Sequence, residues 1–205
     1  MGRVDGKIAL VTGGGSGLGR AISILLAKEG AKVAVTDINE ETASATAAEI
    51  NGATPDTALA LRHDVTDEAC WQAVLDRAVG HFGGLSVLVN NAGIGDAGTV
   101  EETDFATWKR VHEVDLDSVF LGCKYAIPHI VATGGGSIVN ISSVAGIIAG
   151  HNMAAYNSAK GGVRLLSKSV ALHCARKGYN IRSNSVHPTF INTPILKPII
   201  DRFGE

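Results

Sequence analysis

At 205 residues, with 45% hydrophobic residues, 25 glycines and a formal net charge of −2, the chain has apolar surface enough for one sizeable core and no excess of charge. This balance argues against a disordered segment and gives no electrostatic reason to expect nucleic acid or an anionic membrane as partner. Cys70, Cys123 and Cys174 are odd in number and widely spaced, which argues against a disulfide framework or a zinc cluster and fits free thiols in a reducing cytosol. The N-terminus runs into a strand signal at Ile8–Val11 without a leader pattern, and no apolar stretch reaches the ~18–20 residues of a membrane helix. A cytoplasmic protein without a membrane partner is expected.

In chain order, Ile8–Thr12 reads as a strand, Gly17–Glu29 as a helix, Lys32–Asp37 as a strand and Glu40–Ile50 as a helix. A strand at Ala58–Arg62 precedes a helix at Asp67–Phe82, whose Thr66-Asp67-Glu68 is a capping start. After a strand at Val87–Asn90, the stretch Thr103–Thr133 reads as one long helix, with a kink or an end predicted at Pro128. Gly134-Gly135-Gly136 is a turn before the strand Ser137–Ile141, followed by a helix at Ala155–Arg176, a strand at Ile181–His187 and a short helix at Ile195–Phe203. Most strands are short, continuous apolar runs, as expected when both faces of a sheet are covered. The alternation predicts an α/β fold: a three-layer, doubly wound parallel sheet with right-handed crossovers. With no linker, repeat or low-complexity tract, residues 1–205 are read as a single domain.

Thr12-Gly13-Gly14-Gly15-Ser16-Gly17-Leu18-Gly19 follows the first strand and opens the first helix. Glycines there let backbone approach a pyrophosphate, and the amides and dipole of the helix N-terminus receive its charge. Asp37 closes the second strand, where a carboxylate can accept from adenosine ribose hydroxyls and repels a 2′-phosphate. No Arg or Lys stands in the loop or directly after Asp37, so NAD is favoured over NADP. Further along, Tyr156 and Lys160 stand four residues apart on a predicted helix, hence on one face. A phenol is a poor base at neutrality, and a fixed ammonium beside it favours the tyrosinate form. The seven histidines show no metal-ligand spacing, so no metal is expected; His187, at a strand end, reads as structural.

These segments, with Asn90-Asn91-Ala92-Gly93 after the fourth strand and Ser143 before Tyr156, resemble the short-chain dehydrogenase/reductase family over essentially the whole chain. Asp64-Val65 matches the family's adenine-contacting position. Pro188-Thr189-Phe190-Ile191-Asn192-Thr193-Pro194 matches its Pro-Gly-x-x-x-Thr segment, with Thr189 in the glycine's place. The surroundings of Asp64, Cys123 and His187 look most like NAD-dependent secondary-alcohol and hydroxysteroid dehydrogenases. The resemblance implies hydride transfer between NAD(H) and a secondary alcohol or ketone. Tyr156 would be the general acid/base, Lys160 its electrostatic partner and a ribose contact, and Ser143, thirteen residues before Tyr156, the hydroxyl that meets the substrate oxygen. It implies cofactor contacts from Gly13, Gly15, Ser16, Gly17, Leu18, Gly19, Asp37, Asp64, Val65, Asn90, Ala92, Gly93, Tyr156, Lys160, Pro188, Ile191 and Thr193, and a homodimer or homotetramer.

Two departures stand out. Asp115 occupies the position where the family carries an asparagine that completes a proton relay, so a negative charge is expected near Lys160. The family also continues past the position of Glu205 to a further strand that closes the sheet, so a C-terminally incomplete domain, or an edge covered by a partner, is expected. Alternatives are a non-catalytic nucleotide-binding or regulatory module, and an epimerase or dehydratase that uses its cofactor transiently.

Overall fold

A computed structural model describes residues 2–196 and Ile200. Six strands form one parallel sheet: β1 (Ile8–Thr12), β2 (Lys32–Asp37), β3 (Ala58–Arg62), β4 (Val87–Asn90), β5 (Gly136–Ile141) and β6 (Ile181–Val186). Their order is β3-β2-β1-β4-β5-β6. Leu10 pairs with Ala34 on one side and Leu88 on the other, so β1 is central and its side chains are buried on both faces. The connections run outward in opposite directions from β1 and β4, which opens a crevice at the carboxyl ends of those two strands.

The helices are α1 (Gly17–Lys28), α2 (Glu40–Ala53), α3 (Glu68–Phe82), α4 (Phe105–His112), α5 (Ser118–Ala132) and α6 (Ala154–Lys177). On one face of the sheet α3, α5 and α6 bury Trp71, Leu75, Ile130 and Val163 against Leu10, Leu88 and Ile138. On the other, Ala43, Ala47 and Ile50 of α2 and Ile22 of α1 pack on Val33, Val35 and Val11. Asn39 and Asp67 cap α2 and α3 by accepting two amides each, a local saving of about 1 kcal/mol per cap.

The expected long helix at 103–133 differs in one respect. It runs through Pro128 to Ala132, and the irregularity falls earlier, at Glu113–Asp117, which form a π-type turn between α4 and α5. Fully buried Ala126 and Ile130 hold the helix to the sheet on either side of the proline. Pro194–Leu196 form a short 3₁₀ turn, and most of the helix expected at Ile195–Phe203 lies outside the described residues. No helix among the described residues is long and apolar enough to cross a membrane.

Candidate active site

The crevice is lined by a cleft of about 590 Å³ that reaches from Gly13 and Asp37 to Ser143, Tyr156 and Lys160. Its floor is set where β1 and β4 end. Thr12 Oγ1 accepts from the amides of Asn91 and Ala92, both at 3.0 Å. Asn91 Nδ2 returns bonds to the carbonyls of Thr12 at 2.9 Å and Gly13 at 3.2 Å. Gly13 has φ +63°, a left-handed conformation that glycine adopts without strain. A Cβ on Gly19 would stand 2.0 Å from the Gly13 carbonyl oxygen, so the loop crosses the helix start too closely for any side chain. Ser16 makes no side-chain cap and the first turn of α1 has no acidic residue, which leaves its amides available to an anion.

Asp37 is tied to the loop. Its Oδ2 accepts the Gly15 amide and its Oδ1 the Asn39 amide, each at 3.0 Å. Beyond it, Asp64 Oδ1 accepts the Thr66 hydroxyl at 2.7 Å and amide at 3.0 Å, and the hydroxyl bond leads in holding this carboxyl below its ordinary range. His63, also on the cleft wall, is almost wholly buried, with Nδ1 3.0 Å from Thr36 Oγ1 and its ring edge-on to Trp71. Burial pushes its pKa down to about 4 from 6.5, because the imidazolium is poorly solvated there. Between these values the unfolded chain binds a proton that the folded one refuses. Stability should therefore fall by about 3 kcal/mol as pH drops from about 6.5 to about 4. Thermal melts of the wild type and of His63→Gln over this range should show a shallower acid decline in the variant; parallel declines would contradict it.

At the other end, Lys160 is 3% exposed and lies one turn from Tyr156, its Nζ 5.5 Å from the Tyr156 ring centroid. Nζ donates to the Ile141 carbonyl at 3.1 Å and meets Asp115 Oδ2 at 3.1 Å. The second contact is an ion pair rather than an aligned hydrogen bond, since Oδ2 has no donor in line. Asp115 Oδ1 accepts the Ile94 amide at 2.8 Å. Burial pushes the Asp115 carboxyl up, while the Lys160 charge and the Ile94 amide pull it back. A Cβ on Gly93 would sit 3.2 Å from Asp115 Oδ2 and 3.3 Å from Lys160 Nζ, so the glycine leaves room for the pair. Ser143 Oγ accepts the Ala145 amide at 3.1 Å, whereas Ser142 Oγ donates to the Lys160 carbonyl at 2.8 Å and faces the helix backbone.

Of the residues expected at the site, Gly13, Ser16, Gly17, Leu18, Asp37, Asp64, Val65, Ala92, Gly93, Ser143, Tyr156, Lys160, Pro188, Ile191 and Thr193 line the cleft. Gly15, Gly19 and Asp115 stand behind it, supporting the loop and Lys160. Asn90 points into the interior: its Nδ2 donates to Asn140 Oδ1 at 2.8 Å, and Asn140 Nδ2 donates to Ser167 Oγ at 2.9 Å. The neighbouring Asn91 is what locks the glycine loop, a role its position in the sequence did not mark. Arg110 and Met153 also line the cleft without having been singled out by any local motif, and Phe190 lines it from within the Pro188–Pro194 segment.

The sequence profile described as short chain dehydrogenase matches residues 7–202. An NADP-dependent (R)-specific alcohol dehydrogenase of Lentilactobacillus kefiri is 41% identical over 95% of this chain and 77% of its own length. A trans-4-hydroxycyclohexanecarboxylate dehydrogenase of Sinomonas cyclohexanicum is 44% identical over 99% and 79%. The crystal structure of a short-chain type dehydrogenase/reductase from Mycobacterium marinum superposes with a TM-score of 0.91 at 32% identity, over 97% of this chain and 78% of that one. The chain belongs to the short-chain dehydrogenase family of oxidoreductases.

Proposed function

We propose that the protein transfers hydride between NAD(H) and a secondary alcohol or ketone. The observation that carries this reading is a buried, ion-paired Lys160 beside Tyr156 at one end of a cleft whose other end is the glycine loop and Asp37. The residues present fit a dinucleotide. The close crossing at Gly13 and Gly19 leaves backbone exposed to a pyrophosphate, the uncapped amides of α1 suit its charge, and Asp37 suits ribose hydroxyls. When bound, the nicotinamide ring supplies the hydride acceptor in oxidation and the donor in reduction. In oxidation, Tyr156 takes the proton from the substrate hydroxyl as hydride leaves its carbon; in reduction the phenol gives that proton to the carbonyl oxygen. The Lys160 ammonium, beside the ring, attracts the negative charge that appears on that oxygen when the phenol gives up its proton. Ser143, whose oxygen already accepts the Ala145 amide, keeps its hydroxyl hydrogen free to donate to the substrate oxygen.

The apolar residues Ile94, Val144, Met153 and Phe190 along the same cleft suit an uncharged cyclic or open-chain secondary alcohol. Incubating the protein with NAD and a series of such alcohols, cyclohexanols among them, should produce NADH absorbance. NADH binding without turnover across the series would favour a non-catalytic nucleotide-binding module instead. The preference for NAD follows from Asp37, which is followed by the exposed apolar Ile38 rather than by a cation. Asp37→Asn keeps an acceptor for the loop and removes the charge. It should lower the NAD:NADP ratio of kcat/KM by about tenfold to a hundredfold, 1.4–2.8 kcal/mol; an unchanged ratio would locate the preference elsewhere. Exposed Phe120 on α5 and Leu165 and Leu172 on α6 suit a homodimer or homotetramer.

A further inference from the structure

A hydroxyl that must meet a substrate oxygen is only as well aimed as the peptide that carries it. Ser143 is not in a regular element: it follows β5 and precedes a single 3₁₀ turn at Val144–Gly146. Its backbone is held from β6 and the residues just beyond. The Ser142 amide donates to the Val186 carbonyl at 2.8 Å, and the Val144 amide donates to the Pro188 carbonyl at 2.9 Å. Between these two bonds a side chain intervenes: His187 Nδ1 lies 2.9 Å from the Ser143 carbonyl oxygen. Its other nitrogen, Nε2, lies 2.9 Å from Ser185 Oγ.

The chemistry of the partners fixes the direction of the first bond. A backbone carbonyl only accepts, so Nδ1 carries the proton and donates it. Ser185 Oγ can accept or donate, so it holds the ring in place in either case. The peptide joining Ser143 to Val144 is thereby pinned at both polar ends, its oxygen by His187 and its nitrogen by Pro188, and cannot rotate without breaking both bonds. The same Pro188 opens the segment Pro188–Thr193 on the cleft wall. One imidazole therefore ties the serine to the wall segment that follows β6.

We infer that His187 is a positioning residue, which holds the Ser143 hydroxyl in register with the substrate oxygen by donating from Nδ1 to the Ser143 carbonyl. The inference rests on the reading of Ser143 and Tyr156 as the groups that meet that oxygen. It departs from the sequence expectation only in giving the structural role of His187 a catalytic consequence.

Two variants test it. His187→Leu removes the donor; His187→Asn returns an N–H near the position of Nδ1. In the leucine variant kcat for alcohol oxidation should fall by about tenfold to a hundredfold, the range that a misplaced catalytic group produces. NADH affinity, read by fluorescence titration, should stay within about twofold of wild type, and the asparagine variant should recover most of kcat. A role confined to stability would lower the melting temperature and NADH affinity of both variants together, without recovery by asparagine, and would overturn the inference. So would an unchanged kcat in His187→Leu. A wild-type protein inert toward every alcohol tried would sink the functional reading itself, and the role of His187 with it. Wild-type turnover that His187→Leu leaves intact would sink the positioning role alone.

Discussion

Tyr156→Phe should lower kcat for alcohol oxidation by about 10³-fold, while NADH affinity and the melting temperature change little. The substitution removes one oxygen, and no side chain or backbone group among the described residues hydrogen-bonds to it. The fold does not depend on it. What is lost is a positioned proton donor and acceptor, whose contribution is of order 10²–10⁴. Titrating the variant with NADH by fluorescence and assaying it with the best wild-type alcohol separates binding from chemistry. Retention of more than about a tenth of wild-type kcat would mean that another group moves the proton, and the assignment of Tyr156 would have to be abandoned.

The second large effect is expected at Asp115. Asp115→Leu would leave the Lys160 ammonium buried with, among the described residues, only the Ile141 carbonyl as partner. Removing one member of a buried pair costs about 3–5 kcal/mol, which corresponds to a fall of about 6–20 °C in melting temperature for a domain of this size. Asp115→Asn is the informative companion, because it preserves an acceptor for the Ile94 amide while removing the charge. The carboxylate opposes the field that the ammonium exerts on the Tyr156 phenol. Without it that opposition is gone, and the pH–rate profile for oxidation should move to lower pH. A profile that stays in place would mean that Asp115 acts only by holding Lys160 and the Ile94 loop in position.

The parts of the site that were legible in the sequence are those whose geometry is local. Tyr156 and Lys160 are one helical turn apart, and the glycine loop is contiguous between a strand and a helix, so spacing alone brings their groups together. The parallel sheet was equally legible, since most strands are short apolar runs and β1 to β5 each have a helix after them. The illegible contacts join residues far apart in the chain. Nothing near Asn91 in the sequence marks it as the partner of Thr12, because that pairing depends on β1 and β4 being neighbours in the sheet. The network from Asn90 through Asn140 to Ser167 likewise depends on β4, β5 and α6 coming together. At Pro128 the opposite held: a strong local helix breaker does not stop the helix at once, which runs on to Ala132 with Ala126 and Ile130 buried on either side of the proline.

The π-type turn at Glu113–Asp117 sets a constraint on chain length in this part of the protein. An α-helix advances about 100° per residue, and a π turn accommodates one residue more than the α repeat allows. Deleting a single residue within Glu113–Asp117 would let α4 and α5 merge into one regular helix, whose backbone hydrogen bonds would be the better for it. The same deletion would swing residue 115 about a quarter-turn away from Lys160 and release the Ile94 amide. The extra residue therefore works as a spacer: helical regularity is given up at one point so that a carboxylate can reach an ammonium contributed by a different helix.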